Sequence, residues 1–303
     1  MHIKPVQPIK KVVIVGGTHG NEFTGIYLVK KFKQCPELIQ RKSFECSALI
    51  ANPKAFEQNK RYIEKDLNRC FSSQNLTSKG ADSMSYEDRR AVTLSRQLAP
   101  DSKQGSDLII DLHSTTSNMG ITIIPSSFAP FNLKMAAYLS DRNSQVKVYC
   151  WPQSGSQTAF LRSLCPLGCA VEVGPVAQGI VDTKILQQAE SVVLQILDCV
   201  EAYNCGKLKI TTDSLTIYQA INTVDYPRNA QGDLQASIHP KLQNQDYKPI
   251  ASGDPIFLGF NQEVITYTGN SVTYPTFINE AAYYEKGIAM CLTQKNQVPL
   301  LNK

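Results

Sequence analysis

Residues 11–22 read KVVIVGGTHGNE, a run of β-branched residues passing straight into a glycine-rich turn. The apolar run bounded by glycines predicts a short buried strand. The next stretch, EFTGIYLVKKF, carries Phe23, Ile26, Val29 and Phe32 at near-helical spacing and predicts a helix closed by Pro36. A strand, a glycine loop and a helix in that order usually cradle a phosphate. That reading needs G-x-G-x-x-G with an acid about 20 residues on, or a terminal G-K-[ST], and neither spacing is present. What the loop carries instead is His19 and Glu22, three residues apart where strand hands over to helix. In a turn or helix such residues fall on one side, so imidazole and carboxylate can converge on one point.

Working outward, CSALIAN, SDLIIDLHS, GITIIP, VKVYCW and CAVEVGP read as further buried strands between turn residues. A second helix is predicted from Asp182 to Tyr203, with Asp182 and Thr183 as candidate caps. Its apolar stripe is Ile185, Ala189, Val192, Val193, Ile196 and Val200. Strands alternating with helices predict an α/β fold with a sheet covered on both faces. After Asn204-Cys205-Gly206 the texture changes to short strands punctuated by turns, as in DYPRNAQGD and SGDPIFLGF. The expected organisation is a catalytic domain over residues 1–205 and a smaller β-rich domain over 206–303.

With 303 residues, 42% hydrophobic and 19% charged, the composition is that of an ordinary globular protein. The net charge of +5 is spread along the chain, which speaks against a nucleic-acid partner. The start, MHIKPVQPIKK, lacks the apolar core of a secretory signal, and SVVLQILDCV is too short and polar to span a bilayer. Nine dispersed cysteines without a CxxC pair fit reduced thiols better than a disulfide framework. A cytoplasmic protein with no membrane partner is expected.

Only four histidines occur: His2, His19, His113 and His239. His113, in DLIIDLHS, again ends a strand, at the edge where open α/β sheets place their sites. A single strand-end histidine is more often a hydrogen-bonded structural residue. Two of them with Glu22 make a His₂Glu set, the ligands of an open zinc site with a position left for water. In CAVEVGP, Glu172 is a charge within an apolar strand, costly unless paired or functional. It reads as a general base for amide hydrolysis or as a buried structural acid. RYIEKDLNR offers Arg61, Asn68 and Arg69, donors suited to carboxylates and oxyanions, although alone it reads as a solvated, salt-bridged segment.

GGTHGNE, RYIEKDLNR, DLHSTTSNMG, VEVGP, DYPR, HPKLQNQDYKP, GDP and VTYPTFINEAAYYEK follow one another in an order that resembles the aspartoacylase family of zinc acylases, aminoacylase-3 included, over nearly the whole chain. The resemblance implies a zinc-carboxypeptidase-like mixed sheet flanked by helices, followed by a β-rich domain. It implies one Zn²⁺ per chain held by His19, Glu22 and His113, with Glu172 as general base and later acid. Arg61 would polarise the scissile carbonyl and Asp66 would brace its loop. Asn68 and Arg69 would hold the α-carboxylate, and Tyr283 would reach in from the second domain. Arg162, ten residues before Glu172, stands where aspartoacylases pair an arginine with the substrate β-carboxylate, which favours N-acyl-L-aspartate, above all N-acetylaspartate. Three departures bear on specificity: Thr158 in place of a substrate-contacting tyrosine, Gly287 after YYEK, and Ser114 after the metal histidine. The rivals are an acylase for aromatic or N-succinyl amino acids, a phosphate- or nucleotide-binding module, and a purely structural zinc protein. By analogy with the family, a homo-oligomer acting on a small-molecule N-acyl amino acid is expected.

Overall fold

The computed structural model describes residues 7–77, 84–102, 105–151 and 159–300. Strand β1 (Lys11–Gly16) lies between β2 (Glu45–Ile50) and β3 (Leu108–Ser114), parallel to both. Next to β3 runs β6 (Leu167–Gly174), also parallel, and then β4 (Gly120–Pro125), antiparallel to β6. The connection from β3 to β4 is too short for a helical crossover, so β4 has to run back. Beyond it, β5 (Val146–Cys150) is parallel to β4. The mixed sheet expected from the family resemblance is therefore present.

Side chains along the strands alternate between two cores, as the period of two requires. Val12, Ile14, Leu108, Ile110 and Leu112 face one core, which α1 (Phe23–Gln34), α5 (Pro130–Arg142) and α6 (Thr183–Asn204) close. Val13, Val15 and Ile109 face the other, closed by α4 (Tyr86–Leu98). Both predicted helices form. Asp182 caps α6 by accepting from Ile185 N at 2.9 Å, and the whole predicted stripe of α6 is buried. The short helices α2 (Pro53–Glu57) and α3 (Ser73–Thr77) complete the N-terminal part. Among the described residues, no helix is long and apolar enough to cross a membrane.

The change of texture after Cys205 does not interrupt the sheet. Strand β7 (Ser214–Val224) pairs in parallel with β5, and β12 (Met290–Pro299) and β11 (Tyr274–Thr276) extend it to nine strands in the order β11-β12-β7-β5-β4-β6-β3-β1-β2. A separate three-stranded sheet of β8 (Ala236–Ile238), β9 (Pro255–Gly259) and β10 (Val264–Thr266) has its own apolar core around Phe257 and Ile238. The C-terminal part is thus β-rich, as expected, but it is tied to the catalytic part by backbone hydrogen bonds.

Candidate active site

The glycines of the opening loop serve close packing. A Cβ on Gly16 would collide with the carbonyl of Gly25 in α1, and one on Gly20 with the backbone of Ala55 in α2. The resulting tight turn is closed by Glu22 N donating to His19 O, and it brings both side chains to the C-terminal edge of the sheet. Glu22 is the N-cap of α1, yet its carboxylate makes no capping bond because it is engaged elsewhere. Its Oε1 lies 2.6 Å from His19 Nδ1 and its Oε2 lies 2.9 Å from His113 Nδ1.

His19, Glu22 and His113 are all buried, and each offers a ligand atom within 4.8 Å of the others. Each imidazole is held from behind at Nε2: His19 by Asp66 Oδ1 and His113 by Asp111 Oδ2, both at 2.9 Å. Those contacts fix the ring orientation and leave both Nδ1 atoms turned toward Glu22, as in a carboxylate–histidine–metal relay. His19 Nδ1 has no hydrogen-bond partner among the described residues, because its approach to Glu22 lacks hydrogen-bond geometry. Burial works against ionisation of Glu22, but the two imidazoles hold it well below the usual carboxylate range. Burial likewise opposes the His113 cation, and Asp111 with Glu22 raises its pKa well above normal. With Asp66 and Asp111 behind the rings, both Nδ1 atoms and the Glu22 carboxylate converge on one point. A divalent ion fits that donor set, and neutral-imidazole plus carboxylate ligands suit zinc.

Glu172 lies opposite His113 in the β3–β6 register, on the same face of the sheet. Its carboxylate accepts no hydrogen bond from any described residue, and burial pushes its pKa up to about 8, with His113 and Arg61 pulling down and Glu22 and Glu280 pushing up. It shares one pocket with Arg61, Asn68, Arg69, Arg162 and Tyr283, so every predicted site residue comes together there. Arg61 donates to Glu22 Oε1 at 2.9 Å, while its Nε has no partner among the described residues. Asn68 Oδ1 accepts from Leu161 N at 2.9 Å, which aims its amide toward His113. Asp66 also accepts from Asn68 N and from Lys286 Nζ, at 2.9 and 3.2 Å, so it joins the loop to both neighbours. Arg162 is buried, and no carboxylate of a described residue pairs with it. Ser114 donates its backbone N–H to Glu22 Oε2 at 3.1 Å, and Thr158 lies outside the described residues.

A model of the succinylglutamate desuccinylase/aspartoacylase catalytic domain matches residues 8–200. The chain belongs to this family. Its companion model, the AstE/AspA barrel-sandwich hybrid domain, matches residues 213–295. Like the other members compared, this aspartoacylase-family enzyme is matched along nearly its full length. A protein named probable aspartoacylase from Nostoc sp. is 53% identical, over 96% of this chain and 98% of that relative. One from Xenopus laevis named N-acyl-aromatic-L-amino acid amidohydrolase (carboxylate-forming) is 40% identical, over 97% and 98%. The crystal structure of murine aminoacylase 3 superposes with a TM-score of 0.91 at 36% identity, covering 97% of this chain and 98% of that one.

Two residues that hold this site, Asp111 and Glu280, were not singled out from sequence. Asp111 was signalled by its place two before His113, since alternate strand residues share a face. Glu280 gave no local signal. Its Oε2 accepts from Thr115 Oγ1 and from Thr116 N at 2.8 Å, holding the turn after His113 across a separation of 164 residues.

Proposed function

We propose that this enzyme hydrolyses N-acyl-L-aspartate, above all N-acetylaspartate, to L-aspartate and a carboxylate. The observation that carries the reading is Arg162: a buried guanidinium in the pocket of Glu172 that forms no salt bridge with a carboxylate of the described residues. A cation so placed favours a substrate that brings its own anion and disfavours one that cannot. Arg69 in the same pocket serves the α-carboxylate, with Asn68 beside it.

His19, Glu22 and His113 are the residues that would hold zinc, and the ion when bound supplies Lewis acidity to water and to the scissile carbonyl. Glu172 takes the proton of the attacking water as the new C–O bond forms. It then passes that proton to the amide nitrogen as the C–N bond breaks, so the products are the free amine and the acyl carboxylate. Arg61 presents its remaining N–H edge to the developing oxyanion. Tyr283, half-buried against Phe277, completes the wall on the C-terminal side.

The test is hydrolysis of N-acetyl-Asp, N-acetyl-Glu, N-acetyl-Tyr and N-succinyl-Glu by protein of measured zinc content. Turnover should be highest on N-acetyl-Asp, vanish on chelation and return with zinc. A second reading, an acylase for aromatic N-acyl amino acids, draws on the aromatic side chains Trp151, Phe160 and Phe277 in the pocket and on the Xenopus relative. Arg162→Ala separates the two: activity on acidic substrates collapses in the first case and aromatic turnover is untouched in the second.

A further inference from the structure

Phe160 stands between two arginines. Its ring centroid lies 4.7 Å from the guanidinium carbon of Arg69 and 4.3 Å from that of Arg162. Two like charges are thus gathered on one ring, and burial first, with Arg69 adding to it, loosens the hold of Arg162 on its proton. The backbone around Phe160 is held by hydrogen bonds. Leu161 N donates to Asn68 Oδ1 at 2.9 Å, Phe71 N to the Ala159 carbonyl at 3.2 Å, and Ser163 N to the Phe160 carbonyl at 3.0 Å. The chain on either side of Phe160 is therefore stitched to the turn that carries Asn68 and Arg69.

A buried arginine is ordinarily seated on a carboxylate. Here a carboxylate would occupy the fork that a substrate anion needs. An aromatic face attracts the cation through its quadrupole and leaves the N–H donors available for an incoming carboxylate. The separation of the two guanidinium carbons is also bounded, since neither can leave the ring without losing that attraction.

We infer that Phe160 is a positioning residue that sets substrate length, by holding the fork for the α-carboxylate and the fork for the side-chain carboxylate at the spacing of an aspartyl group. The inference rests on the dicarboxylate reading given above. On this inference a glutamyl substrate, one methylene longer, fits the two forks less well than an aspartyl one. No carboxylate of a described residue forms a salt bridge with either arginine, so both forks stay available until the substrate enters.

The experiment compares wild type, Phe160→Leu and Phe160→Tyr, each zinc-loaded and checked for zinc content and melting temperature, on N-acetyl-Asp, N-acetyl-Glu and N-acetyl-Tyr. Phe160→Leu should raise KM for N-acetyl-Asp roughly tenfold with kcat little changed, and narrow the preference for N-acetyl-Asp over N-acetyl-Glu. Phe160→Tyr, which keeps the ring, should restore both. A folded, zinc-loaded Phe160→Leu with unchanged KM and unchanged preference overturns the inference, as does a Tyr variant that behaves like the Leu variant. Should the Leu variant not fold, Phe160→Met carries the same comparison. Wild type that turns over N-acetyl-Tyr and neither acidic substrate overturns the substrate reading itself, which the variants then do not address.

Discussion

At the scale of single residues, the site depends on carboxylates that never meet substrate. Asp111 is fully buried and divided between Thr18 Oγ1 at 2.8 Å and His113 Nε2. Removing such a partner typically weakens metal binding by about 10- to 100-fold. Asp111→Asn should therefore show that loss in competition with a chelating dye. Glu172 is a different case, since it contacts no ligand nitrogen and accepts no hydrogen bond from a described residue. For Glu172→Gln the expected outcome is normal zinc content with kcat lowered by at least about a hundredfold. Near-normal turnover with zinc retained would remove Glu172 from the mechanism.

At the scale of elements, the turn bearing Arg61, Asn68 and Arg69 has little regular structure and is shaped from outside. Glu87, buried in the first turn of α4, accepts from Ile63 N at 2.7 Å, Glu64 N at 3.1 Å and the Asn52 side chain at 3.1 Å. Asn52 in turn caps α2 through Ala55 N. One carboxylate thereby fixes the backbone between Arg61 and Asp66, and α4 is started by a capping box at Ser85 and Asp88. Glu87→Ala leaves part-buried backbone donors and the buried Asn52 amide without this partner, a loss of at most about 1–3 kcal/mol for the buried group and less for the others. A clear fall in the urea midpoint is expected, with kcat/KM falling further than the remaining folded fraction explains.

At the scale of the whole molecule, the C-terminal part closes the site rather than sitting beside it. Glu280 grips the turn after His113, Lys286 reaches Asp66, and Tyr62 OH donates to Glu285 Oε2 at 2.7 Å. Behind this clasp, Asp246 accepts from Ile278 N at 3.1 Å and is otherwise buried, which pushes its pKa up to about 7 from 3.8. The folded chain keeps this proton where the unfolded chain has lost it, so the contribution is complete below pH about 4 and declines as pH rises through 7. Its slope is at most about 1.4 kcal/mol per pH unit. Urea unfolding between pH 5 and 7.5 should show that decline, and Asp246→Asn should flatten it.

The sequence by itself pointed to the strands of the N-terminal part, to α1 and α6 but not α4 or α5, and to the His19, Glu22 and His113 cluster, because these signals are local. A buried strand announces itself by a β-branched run, and His19 with Glu22 by a three-residue turn. Glu172 was legible for the same reason, as one charge inside an apolar strand. The family resemblance supplied Arg61, Asn68, Arg69, Arg162 and Tyr283 as candidates, and the fold gathers them into one pocket. What only the tertiary structure decided is how these groups are held: Asp66 and Asp111 behind the imidazoles, Glu87 under the arginine turn, Phe160 between two guanidiniums, and Glu280 across from the C-terminal part. Apart from Asp111, two residues before His113, and Arg162, two after Phe160, those contacts join segments distant in the chain. Hydrogen bonds and ring contacts of that kind follow from packing, which no local spacing encodes.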